Sequence, residues 1–230
     1  MPDWKFHVGV AKEVFDNLGY NQGFNIFGLG SIMPDCPWML VDKSISTGSR
    51  IRSHYIDVRD SQPISLASYD LYLCENAANI ADNFLYQGIL SHLILDRNIN
   101  ILWRTIIRSV ESNKFQLPEK FIKEEASDTE LLKIKWKSTE AYSSCKYSSI
   151  CSDILQLNNI PKDIIHKYHL TEEDVNRMKF SIAGILDRPE ESNYVATIMT
   201  TSYDSVVEQT VMECVSIINR LKQLKNLQLL

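Results

Sequence analysis

Long apolar runs are missing from this chain: no stretch approaches the roughly 20 residues that a helical membrane span requires, so no transmembrane segment is expected. An excess of basic charge is missing as well. Lys and Arg total 24 against 29 Asp and Glu, a net charge of −5, which argues against duplex nucleic acid as the main ligand, because such binding is driven by basic surface that neutralises phosphates. The start, Met1-Pro2-Asp3-Trp4-Lys5-Phe6, has no basic region followed by an apolar stretch. No secretory signal is read there, and a cytoplasmic address is the expectation. The five cysteines (Cys36, Cys74, Cys145, Cys151, Cys214) are an odd, scattered set, which fits reduced thiols better than a disulfide framework. Repeats and low-complexity tracts are absent, and 230 residues suffice for one sizeable core, so a single domain over 1–230 is read.

Histidine is scarce too, with five in the chain, and that scarcity directs attention to where each one falls. The run Gly88-Ile89-Leu90-Ser91-His92-Leu93-Ile94-Leu95-Asp96-Arg97 sets a histidine and an aspartate four residues apart in apolar surroundings. If the run is helical, the two lie one turn apart on one face. A carboxylate in such a place is costly to bury unless it is paired or coordinates a metal. Upstream stand His7 and His54, and between them Pro34-Asp35-Cys36-Pro37 pins an aspartate in a rigid turn. His7, Asp35, His54, His92 and Asp96 together offer the nitrogen and carboxylate donors that zinc and related divalent ions take. Read singly, each has a plainer role: His92 and Asp96 a hydrogen-bonded pair, Asp35 a turn former, His7 a helix-start residue, His54 a loop residue.

The order His7, then Gly30-Ser31-Ile32-Met33-Pro34-Asp35, then Ser53-His54, then the run ending at His92 and Asp96, then Trp103, resembles the zinc-dependent phospholipase C family, which is related to the single-strand-specific zinc nucleases. The likeness covers roughly the first half of the chain. It implies an all-α, multi-helix fold and a zinc site in which Asp35, His54, His92 and Asp96 are ligands, with His7 helping to hold a second ion beside Asp96. It also implies Asp35 as the catalytic base and metal-bound hydroxide as the nucleophile. The expected substrate is then a small phosphate ester or phospholipid head group.

Two departures bear on that expectation. The family's mature amino-terminal tryptophan has no processed counterpart, since Trp4 is internal, and no histidine stands between Arg97 and Ile165 to build the family's third cluster. One or two ions are therefore expected, a number that still allows hydrolysis, because a divalent ion activates water and binds a phosphoryl oxygen. The alternative is a catalytically inactive phospholipase-like fold that keeps a structural metal for stability or partner binding. Nuclease-like action on single strands is a third reading, lowered by the acidic balance. His166 and His169, beside Glu172 and Glu173, read as an exposed turn before a helix, and Trp38, Trp103 and Trp136 as core or pocket-wall residues.

Along the chain, apolar spacing predicts a helix over Lys5 to Leu18, stopped by Gly19. Residues 19–65, rich in Gly and Pro without a sustained period, read as a long loop carrying Asp35 and His54. A short helix is expected over Leu66 to Leu73 and a longer one from about Asn76 to Arg108, with Gly88 marking close approach to another backbone or to the site. Residues 111–130 read as a linker. Thr171 and Asp174 look like a capping box, and Asn193 to Leu224 like a closing helix.

Overall fold

Apolar residues that recur at three and four positions must share one side of a helix, and several segments here, Lys5 to Leu18 among them, have that pattern. The structure is a computed structural model that describes residues 3–36, 54–56, 64, 66–111, 128–160, 162–167, 170–187 and 194–229. In chain order it contains α1 (Trp4–Asn17), α2 (Phe24–Gly30), a 3-10 turn (Met33–Asp35), α3 (Tyr69–Asp82), α4 (Phe84–Glu111), α5 (Asp128–Lys146), further 3-10 turns at Ser152–Leu155 and Leu157–Asn159, α6 (Lys162–Lys167), α7 (Glu172–Leu186) and α8 (Tyr194–Asn226). Among the described residues there is no strand. The all-α expectation holds, and no described helix is long and apolar enough to cross a membrane.

The bundle is organised on α4, against which α1, α2, α3 and α8 all pack. Its middle is buried on every side: Leu90, Leu93, Ile94, Leu95 and Ile99 are inaccessible. In that enclosure polar side chains need partners, and several have them. Gln87 donates to the Ile80 carbonyl at 2.7 Å, Asn98 to Thr210 Oγ1 at 3.1 Å, and Asn100 accepts from the buried Lys135 of α5. Of the other buried polar residues of this stretch, His92 and Asp96 belong to the site below.

Two glycines let α4 approach α2 more closely than side chains allow. A Cβ on Gly88 would stand 2.0 Å from the Phe27 carbonyl oxygen, and one on Gly30 would stand 2.3 Å from that of Leu85. Backbone lies on backbone there, as the position of Gly88 suggested. The first helix ends as expected: Gly19 sits at φ +74°, with its amide on Asp16 and the Tyr20 amide on Phe15, a Schellman closure that uses glycine's freedom. The Thr171 box is formed, with Asp174 N donating to Thr171 Oγ1 at 3.2 Å and Thr171 N to Asp174 Oδ2 at 2.9 Å.

Three sequence readings need adjustment. The segment from 19 to 36 is not loop throughout, because α2 and the 3-10 turn occupy it; the glycines that suggested a loop serve the crossing with α4. The single helix read from Asn76 to Arg108 is two, parted at Asn83, whose extended backbone (φ −119°, ψ 119°) ends α3 and whose side-chain oxygen accepts from Leu85 N to start α4. The reading of Trp136 as core or pocket wall fails as well, since the residue is 55% exposed. Trp103 is buried. Trp38, His169 and most of the linker read over 111–130 lie outside the described residues. The closing helix runs from Tyr194 to Asn226.

Candidate metal centre

Four elements bring the site together. α1 carries His7 in its first turn, the 3-10 turn after α2 carries Asp35, a turn at residues 54–56 carries His54, and α4 carries His92 and Asp96 one helical turn apart. All five side chains are buried, none more than 2% exposed. The turn bearing His54 is fastened to α3 by its neighbour Tyr55, whose φ of +52° is unusual for a bulky residue. The Tyr55 hydroxyl donates to Glu75 at 2.9 Å, and its ring meets Tyr72 edge-on at 5.6 Å.

The donor atoms face one another across a small volume. His54 Nε2 lies 3.1 Å from Asp35 Oδ1, 3.1 Å from His92 Nε2 and 3.5 Å from Asp96 Oδ2. His92 Nε2 lies 3.7 Å from Asp96 Oδ2 and 4.0 Å from Asp35 Oδ1. Two donors bound about 2.0–2.1 Å from a tetrahedral zinc stand about 3.3 Å apart, so these separations bracket the edges of such a coordination shell. The other Asp96 oxygen, Oδ1, turns the opposite way and lies 3.6 Å from His7 Nε2. One carboxylate thus addresses two groups of nitrogens. The rings of His7 and His92 stack at 3.9 Å, nearly parallel.

Hydrogen bonding fixes which atoms are presented. His92 Nδ1 donates to the Ser31 carbonyl at 2.8 Å, so in the neutral ring the lone pair sits on Nε2, pointing at the other donors. Asp35 Oδ2 accepts from the Trp4 indole Nε1–H at 3.2 Å, leaving Oδ1 toward His54 and His92. Neither ring nitrogen of His7 nor Oδ1 of Asp96 has a hydrogen-bond partner. An orphaned buried polar atom costs about 1–3 kcal/mol, and a cation between His7 Nε2 and Asp96 Oδ1 would offset that cost for those two atoms.

Ionisation agrees with donor chemistry. Burial, with His92 nearby, pushes His7 down to about 3, and burial likewise lowers His92, so both rings are neutral near pH 7. For the aspartates burial works the other way, but the surrounding histidines outweigh it. Asp96 is held at about 2, and Asp35 well below the usual carboxylate range. Neutral imidazole and ionised carboxylate are the forms that bind metal. A buried group of two anions is also what a divalent cation neutralises. By geometry, His7, His92 and Asp96 form one set able to hold an ion, and Asp35, His54 and His92 another.

The five residues singled out in the sequence therefore meet in one place. His166, the other described histidine, is exposed. Sequence reading missed the supporting partners, Trp4 and the Ser31 carbonyl. Among known proteins, no family model, no curated protein and no solved structure matches this chain, so the functional argument rests on the site itself.

Proposed function

We propose that this chain is a metal-dependent hydrolase of phosphate esters, phospholipase C-like in its ligand set, with zinc as its ion. The reading is carried by one observation: two buried aspartates and three buried histidines form two adjoining sets of donor atoms that share His92, and two of those atoms, His7 Nε2 and Asp96 Oδ1, have no hydrogen-bond partner. Asp35, His54, His92 and Asp96 are the primary ligands, and His7 with Asp96 Oδ1 completes a second position. A bound divalent ion supplies an acidified water and a Lewis acid for a phosphoryl oxygen. The chain's part is to hold that ion in a dry, rigid setting. The Ser31 carbonyl fixes the His92 tautomer, and Asp35 is the carboxylate to take a proton from the attacking water, through its inward oxygen Oδ1, since Trp4 holds Oδ2. A small phosphate ester or phospholipid head group fits such a centre, since a metal-held phosphate needs no broad basic surface.

A second reading has its own observation. Ligands no more than 2% exposed suit closed coordination, in which the ion contributes folding free energy and turns nothing over.

Metal content by mass spectrometry, on protein purified without added metal and on a His92→Ala, Asp96→Ala double variant, decides the first step. About one or two equivalents of zinc in the parent and none in the variant are expected, given four-ligand sites. A metal-free parent whose stability equals that of the variant would sink the proposal. Hydrolysis of a chromogenic phosphocholine ester by the zinc-loaded parent then separates the two readings: turnover favours the hydrolase, and a loaded but inert protein the structural ion.

A further inference from the structure

We propose that Trp4 is a positioning residue for this centre, restricting Asp35 to donation through a single oxygen; the inference rests on the metal reading above. A carboxylate has two oxygens and binds a cation through one or both. Here Oδ2 is occupied: the buried Trp4 indole Nε1–H donates to it at 3.2 Å. Only Oδ1, 3.1 Å from His54 Nε2, is left facing the other donors. The indole suits this task because its N–H donates and accepts nothing, so it engages the oxygen without competing for the ion.

Its place in the fold makes the restraint stiff. Trp4 opens α1 and lies one turn ahead of His7, while Asp35 belongs to the separate turn after α2. One rigid helix thereby supplies one ligand and orients another from a different element. Removing the N–H frees Oδ2 to swing toward the ion, changing the number of bound oxygens without changing a ligand.

Cobalt(II) is the probe, because its visible absorption reports coordination number in the protein without any turnover. In Trp4→Phe, which keeps a buried ring, cobalt should bind about 10-fold to 100-fold more weakly, the range for lost supporting partners of metal ligands. The visible band should also weaken as a fourth donor becomes a fifth. Trp136→Phe, at an exposed tryptophan, should leave both unchanged. Equal affinity and an identical spectrum in folded Trp4→Phe overturn the positioning role alone, whereas no cobalt uptake by the parent overturns it together with the metal reading. If Trp4→Phe does not fold, the parent still answers through nuclear magnetic resonance. The Trp4 indole proton should lie downfield and exchange slowly, and Asp35→Ala should shift it upfield and speed its exchange. Indifference of that proton to Asp35→Ala overturns the proposal.

Discussion

His7 has the least self-sufficient surroundings of any described side chain. It is wholly buried, stacked on another imidazole, and both its nitrogens lack partners. Removing a buried polar group that has no hydrogen-bond partner recovers its desolvation cost. His7→Phe should therefore leave the chelated protein as stable as the parent or up to about 2 kcal/mol more so, while lowering bound zinc. Urea unfolding in EDTA beside metal analysis checks this, and a clear loss of stability in EDTA would mean that the imidazole matters without any ion. Asp3, which caps the helix that carries His7, offers a test of sign. Burial and the nearby Glu140 raise it to about 6, against a hydroxyl bond from Ser143 that lowers it. A carboxyl raised in the folded state stabilises fully below its unfolded value near 4 and loses that contribution as pH climbs through about 6. Asp3→Asn should thus match the parent near pH 4 and exceed it by roughly 1–3 kcal/mol at pH 7, as melts across that window would record. The five donors were legible from residue type and order, because few side chains bind metals. Ser31 was not, since a carbonyl belongs to every residue and leaves no mark in sequence, and a lone tryptophan forms no pattern.

At the scale of elements, the crossing of α2 and α4 matters most. An alanine inside a helix normally gains about 1 kcal/mol over glycine, but at Gly88 the new carbon would meet the Phe27 carbonyl at 2.0 Å. Gly88→Ala should cost a net 1–3 kcal/mol or so, as overpacking does. It should also weaken zinc binding, because parting the helices draws the Ser31 carbonyl off His92. Denaturant titration and zinc competition with a chelator measure the two effects, and an unchanged zinc affinity would show that the crossing and the site are independent. Helix α1, its glycine stop and the Thr171 box were readable because each is a local signal. The break at Asn83 was hidden inside a continuous apolar pattern, although Asn83 ahead of Phe84 and Leu85 is a start signal in retrospect. The 3-10 turn and α2 were read as loop because glycines that serve close packing look in sequence like glycines that serve turns.

For the whole molecule, an ion that binds only the folded state adds stability by mass action. At free zinc a hundredfold above the dissociation constant the gain is about 2.7 kcal/mol, or roughly 5–11 °C in Tm for a chain of this size. Calorimetry with and without chelator should show that drop, and coincident melts would mean that zinc does not bind the native protein. The all-α class followed from the helical spacing of several segments, from helix-start signals and from the resemblance, whereas the packing of α8 onto α1, α3, α4 and α5 had no counterpart in sequence, since no local pattern encodes long-range partners. The distribution of the ligands bears on the unfolded chain as well. All five lie within the first 96 residues, so a captured ion acts as a clip that closes several chain loops at once, the stretch between Asp35 and His54 among them, and removes their closure entropy from the unfolded ensemble. Its proposed ligands all precede α5, so such a clip would be complete in sequence before that helix begins. An ion held as proposed would thus tie α1, α2 and α4 to one another apart from α8, which packs on α1 and α4.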